Sequence, residues 1–207
     1  PDWMEILLTA LGRYPAAAGA GGWISPPAGE IERSAISRYL YSFYFPLSES
    51  GQLLRSHEMI SNDPFRCLGV SAYNTANVCY KKEALKSIGG FREQFRWPGA
   101  EDNDLALRIV LAGHPLLYIP FHVTHSKDMS FFEFFRMTVR YGANLFLLMN
   151  LNHDALEASR PGFVYSYGSI AELAYGLSVR DNFLVWSQWI AKKLGILTVA
   201  IVTTPFS

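Results

Sequence analysis

The chain has 207 residues, half of them apolar and 14% aromatic, enough to bury a sizeable core and too many for a disordered segment. Lys plus Arg and Asp plus Glu stand at 18 each, so the formal net charge is zero and no basic field supports a nucleic-acid partner. The only cysteines, Cys67 and Cys79, make neither a disulfide framework nor a zinc site, and a reducing compartment is the simpler expectation.

Asp2 caps a helix in which Trp3, Ile6, Leu7, Ala10 and Leu11 recur at helical spacing, with Gly12 and Pro15 as its stop. Residues 16–23 are small and glycine-rich, which predicts a buried strand closely approached by backbone or ligand. Ser25-Pro26-Pro27 reads as a loop, 31–45 as a helix ended by Pro46, and 47–63 as a polar connection. Two short strands are expected around 67–70 and 76–80, followed by a short helix over 81–88 that Gly89-Gly90 closes with a left-handed cap. After a loop over 94–100 comes a helix over 101–112, with Leu105, Ile109 and Val110 inward and Gly113 at its end. Residues 116–119 and 123–125 are strand-like, interrupted by Pro120.

The remainder reads as mostly helical. Residues 129–150 are apolar nearly all round, with Arg136 and Arg140 four apart on one face. A break over 159–167 precedes helical patterns over 170–177 and 181–193. The apolar run 194–202 is far short of the ~20 residues of a membrane span. With Lys192 and Lys193 before it, this run fits a core strand, an interfacial segment or the start of a longer span. The chain starts on Pro1 without a signal-like apolar run and stops on Thr204-Pro205-Phe206-Ser207. Both ends are therefore expected to be cuts in a longer protein.

The stretch from Pro98 to Arg108 sets adjacent carboxylates, Glu101 and Asp102, at a helix start behind a glycine-bearing loop. The free N–H groups of a first turn and the helix dipole hold a carboxylate ionised there, which suits a base that takes a proton from a hydroxyl. Such residues also serve as plain caps, so the surroundings carry weight. Asn77-Val78-Cys79-Tyr80-Lys81-Lys82, Ile88-Gly89-Gly90-Phe91, Glu101-Asp102-Asn103-Asp104-Leu105, Arg108, Tyr118-Ile119-Pro120 and His125 follow in order. This ordered set resembles the acceptor half of the inverting family-2 glycosyltransferases, over roughly residues 1–141.

The resemblance implies an α/β fold: the C-terminal part of a GT-A domain over residues 1–128, with a helical, apolar extension over 129–207. It implies Asp102 as catalytic base with Glu101 as its partner, and Asn77, Gly89 and Gly90 on the substrate side, the glycines through backbone shape. It also implies His125 as a metal or diphosphate ligand, a role for which His122 competes. Trp97 is a candidate platform for a sugar face, with core packing the alternative. Asp104 reads as a cap or ion-pair residue and Arg108 as a brace. Arg136 and Arg140 stand where processive relatives carry Gln-x-x-Arg-Trp, but Met137 and Tyr141 replace its ends. Processive synthesis is therefore not implied, although either arginine retains a planar donor fork for diphosphate.

The family's nucleotide-binding half, with its Asp-x-Asp, is not among these residues. A divalent metal, Mg²⁺ or Mn²⁺, is accordingly expected only in the complete enzyme. The implied partners are a nucleotide-sugar donor and a hydroxyl acceptor, saccharide or lipid-linked, and the implied place is the cytoplasm or the inner face of the membrane. Two other readings stay open. One is a non-catalytic binding or scaffolding module that keeps the fold without the donor site. The other is a peripheral membrane contact through the apolar 129–148 helix and the 194–202 run.

Overall fold

A computed structural model of the protein describes residues 2–34, 36–37, 58–64, 67, 73–126, 128–161 and 190. The chain divides into two compact units. The first comprises Pro1–Glu30, Leu40–Arg92 and Asp102–Lys127, and the second comprises Ile31–Tyr39, Glu93–Glu101 and Asp128–Ser207.

The first unit is built on a mixed four-stranded sheet of β1 (Gly19–Ser25), β2 (Met59–Ser61), β3 (Val78–Tyr80) and β4 (Leu116–Thr124), in the order β2-β4-β1-β3. β1 and β4 run parallel, while the two outer strands run antiparallel to their neighbours. Helix α1 (Trp3–Arg13) begins where Asp2 accepts the Met4 N–H at 3.2 Å. Leu7, Ala10 and Leu11 then pack with Ala17 and Ala20 of the following segment and Leu117 and Ile119 of β4. Because side chains alternate along a strand, Leu116 and Tyr118 face the opposite side of the sheet, and both are buried. The helical period thus locates the buried stripe, although Trp3, at the first turn, is exposed.

Several boundaries differ from the sequence expectation, each for a local reason. α1 runs through Gly12 and ends before Pro15, since an interior glycine costs only about 1 kcal/mol whereas proline has no N–H to donate. Met59–Ser61, inside the expected polar connection, pairs with β4; three residues are too few to show alternation. Cys67 is helical rather than in a strand. Thr75–Asn77 forms a 3₁₀ turn because the Asn74 side chain captures the Ala76 N–H at 3.0 Å, so β3 starts only at Val78.

β4 continues straight through Pro120, although it is a central strand. Its pairing with β2 ends at Tyr118, and its register with β1 shifts between Gly21 and Trp23. Pro120 falls in that irregular stretch, where a missing N–H breaks no ladder bond.

Two further helices of the first unit carry the residues of interest: α3 (Lys82–Ser87), and α4 (Glu101–Leu111), whose first residue belongs to the other unit. A four-residue helix, α2 (Glu30–Arg33), is the described start of the helix expected over 31–45, most of which lies outside the described residues.

The second unit is dominated by α5 (Phe131–Ser159), 29 residues long and ending nine residues beyond Asn150, where the apolar pattern stops. Its start is a capping box: Glu133 N–H donates to the Ser130 hydroxyl, and Ser130 N–H donates to the Glu133 carboxylate at 2.8 Å. That backbone bond first, and the Ser130 hydroxyl second, hold the Glu133 carboxyl below its ordinary range. Phe134, Leu145, Leu148 and Leu156 are buried, while Phe132 is exposed. Among the described residues no helix is long and apolar enough to cross a membrane. The elements expected over 170–177 and 194–202 lie outside the described residues.

Candidate functional site

Asp102 occupies the first turn of α4, half-buried, with Oδ1 accepting the Asn103 N–H at 2.9 Å. Asn103 turns its own amide inward and donates to the Cys67 carbonyl at 2.7 Å, fixing this turn to the preceding chain. Leu105, Leu107, Ile109 and Val110 bury the inner stripe of the helix, which leaves Asp102 at the less buried edge. The carboxylate is thus neither sealed inside nor fully solvated.

Tyr80, at the end of β3, stands in electrostatic reach of Asp102. Burial first, and the Asp102 charge second, push its phenol well above the ordinary value, so it stays protonated. Its hydroxyl is shielded from solvent and has no hydrogen-bond partner among the described residues. The ring reaches this place because it lies over Gly19, its register partner in β1: a Cβ on Gly19 would sit 2.5 Å from Tyr80 Cδ1.

Behind Asp102, a charged brace holds the helix to the turn that follows α3. Asp104 is fully buried and ion-pairs with Arg92 Nη1 and Arg108 Nε, each at 2.8 Å. Arg108 donates further to the carbonyls of Ile88 at 2.8 Å and Gly90 at 2.6 Å. Gly89 and Gly90 both adopt left-handed backbone, with φ of 76° and 69°, which directs those carbonyls at the guanidinium. The Gly-Gly-Phe element is therefore joined to the carboxylate-bearing helix through one arginine, and the two glycines serve the shape of this turn.

Glu93–Glu101, the loop that precedes Asp102 in the chain, belongs to the second unit. Glu101 accepts the Gly99 N–H, so part of its carboxylate is spent on its own loop. Gly99 (φ 118°) and Ala100 (φ 68°) are both in positive-φ backbone, and the buried Ala100 pays about 1–2 kcal/mol for it. Gly99 is also required by contact, since its Cβ would lie 2.9 Å from the Tyr141 ring. Trp97 is 45% exposed, and the Arg140 guanidinium lies 5.7 Å from its ring centroid. Asn144, buried in α5, donates from Nδ2 to the carbonyls of Trp97 and Gly99, each at 2.7 Å. The same loop lines an open hollow of about 510 Å³ through Glu93, Gln94 and Arg96.

The other candidates are dispersed. Asn77 is fully buried and donates to the carbonyls of Trp23 at 2.8 Å and Phe121 at 3.3 Å, bridging β1 and β4 where their register shifts. That is the position of a strut, rather than of a group offered to a substrate. Gly22 makes room for it, since a Cβ there would stand 2.8 Å from Asn77 Nδ2 and 2.1 Å from the Phe121 carbonyl oxygen. His122 packs at a tilt against Trp23, with ring centroids 4.4 Å apart and the planes 35° from parallel. His125 follows the end of β4, half-buried, with its backbone N–H donated to the Ser25 carbonyl at 2.8 Å. Arg136 is exposed on α5. Among the described residues no three His, Cys, Asp or Glu side chains gather as a metal site.

Residues 57–130 match the family model described as the N-terminal domain of galactosyltransferase. The matched stretch carries β2, β3, α3, α4 and β4, hence Asn77, the Gly89-Gly90 turn, Asp102 and His125, and it marks a glycosyltransferase-like domain. No curated protein and no solved structure matches the chain.

Sequence reasoning missed Asn144, Arg92 and Tyr80. The first left a trace, an amide within the apolar run 141–149, whereas Arg92 meets Asp104 and the Tyr80 ring comes to lie over Gly19 only through folding.

Proposed function

We propose that this chain is the acceptor-side part of an inverting glycosyltransferase of the family-2 type, on a GT-A fold, with Asp102 as the base. Asp102 takes the proton of an acceptor hydroxyl, the oxygen attacks the anomeric carbon of a nucleotide sugar, and the nucleoside diphosphate leaves with the bonding pair. The observation that carries this reading is the half-buried Asp102 carboxylate on the first turn of α4, inside the segment that matches the galactosyltransferase model. A first-turn carboxylate is favoured in its charged form by the helix dipole, which keeps it able to accept a proton.

Supporting features are the brace from Arg108 to the Gly90 carbonyl, which fixes this turn, and the exposed Trp97 ring for a sugar face. Nucleotide-sugar donor, saccharide or lipid-linked acceptor, divalent metal and work at the inner face of a membrane are parts of the same proposal. His125 and the Arg136–Arg140 pair are its candidate contacts to metal and diphosphate.

The test is Asp102→Asn in the longest chain that contains these residues, assayed against a panel of nucleotide sugars. Loss of a general base costs about 10²–10⁴-fold in turnover, with donor affinity held. Turnover within a few-fold of the parent refutes the assignment. The competing reading is a non-catalytic binding or scaffolding module that keeps the fold without the donor site. Saccharide binding without turnover of any nucleotide sugar would select it.

A further inference from the structure

α5 contains three buried polar side chains, and they spend their donors differently. Thr138 Oγ1 donates to the Phe134 carbonyl and Asn152 Nδ2 to the Leu148 carbonyl, both at 2.8 Å and both four residues back along the same helix. Asn144, only 3% exposed, instead sends both protons of its amide out of the helix, to the carbonyls of Trp97 and Gly99. A side-chain amide has two N–H donors in one plane, and this spacing of carbonyls, two residues apart, takes both.

The neighbours of Asn144 grip the same two loop residues. Tyr141 packs against Gly99 at a distance that no larger residue would permit, and Arg140, one turn before Asn144, covers the Trp97 ring. The loop needs such a grip, because Gly99 and Ala100 hold positive φ and would relax without it. Arg140 makes no hydrogen bond or ion pair among the described residues, so its contact with Trp97 is what places its charge.

We infer that Asn144 is a positioning residue for acceptor binding: it fixes the backbone on both sides of Pro98 so that the Trp97 ring is held out as a rigid platform for the apolar face of a sugar. This rests on the transferase reading for the identity of the ligand as a saccharide. Preorganisation is the physical gain, since a platform already immobile loses little freedom when the sugar stacks on it. The amide is the specific requirement. A leucine of similar size fills the space without donors, and an aspartate keeps the shape but turns acceptor oxygens towards two carbonyls.

The test uses the full chain with Asn144→Asp and Asn144→Leu. Trp97→Phe defines the Trp97 part of the fluorescence of the five tryptophans. Free glucose, galactose, N-acetylglucosamine and their methyl glycosides serve as probes. Thr138→Val is the control, a buried polar loss on the same helix without a bond to the loop. Both Asn144 variants should weaken the saccharide-dependent Trp97 signal tenfold or more and raise acrylamide quenching of Trp97. In transfer assays they should raise the acceptor KM by a similar factor, with the donor KM and kcat little changed. Thr138→Val should leave all of these alone.

Unchanged saccharide affinity in either folded Asn144 variant, or an equal loss in Thr138→Val, overturns the positioning role while leaving the transferase reading intact. A parent protein whose Trp97 signal answers to no saccharide and which transfers no sugar overturns both.

Discussion

Removing the Asp104 carboxylate is the sharpest test of how the candidate site is held. Asp104 is fully buried, and its Arg108 partner is only 10% exposed, so that arm is a charge-assisted bond shielded from water, worth about 1.5–3 kcal/mol. Arg92 is 27% exposed, and its arm is screened to about 1 kcal/mol or less. In Asp104→Ala, Arg108 keeps the carbonyls of Ile88 and Gly90, so the remaining guanidinium is not orphaned. The expected loss is therefore about 3 kcal/mol, at the lower end of the range for breaking a buried pair. With domain stabilities of about 5–15 kcal/mol the variant still folds. Urea unfolding followed by tryptophan fluorescence reads the loss, and a double-mutant cycle with Arg108→Ala isolates the pair. Arg92→Ala should cost less than a third as much as Asp104→Ala. Equal costs for the two, or a loss under about 1 kcal/mol for Asp104→Ala, would refute the argument that burial of the Arg108 arm dominates.

Two glycine substitutions should move stability in opposite directions. Gly22→Ala drives a Cβ to 2.1 Å from the Phe121 carbonyl oxygen in the middle of the sheet and should cost about 2–4 kcal/mol in thermal or urea melts. Gly12→Ala meets nothing within 4 Å in helical backbone and should add about 0.5–1 kcal/mol; a loss there would contradict the open environment. A third expectation concerns alkali. Burial, with Asp63 second, pushes the Cys67 thiol from 9.0 up to about 12, and burial raises Tyr80 in the same sense. A raised folded-state value means that the contribution is whole below pH 9 and is lost as pH climbs from 9 towards 12, with a slope of at most about 1.4 kcal/mol per pH unit. Urea midpoints of the parent should fall over this window and those of Cys67→Ala should fall less; parallel curves would count against a buried thiol.

What this sequence determined by itself was mainly local. Asp2 as a cap, the apolar stripe of α1, the two left-handed glycines after α3 and the carboxylates opening α4 depend on neighbours within a turn or two, which is the range that periodicity and capping report. Asp104, expected as a cap or ion-pair residue, and Arg108, expected as a brace, prove to pair with each other one helical turn apart. Tertiary structure decided the rest. The pairing of Met59–Ser61 with β4, the passage of β4 through Pro120 and the burial of Asn77 beneath Gly22 depend on which strands lie side by side. Likewise the hold of Asn144 on Trp97 and Gly99 joins residues 45 or more apart in the chain. Hydrogen-bond partners at such separations are chosen by the packing of whole elements, and no short-range pattern encodes them.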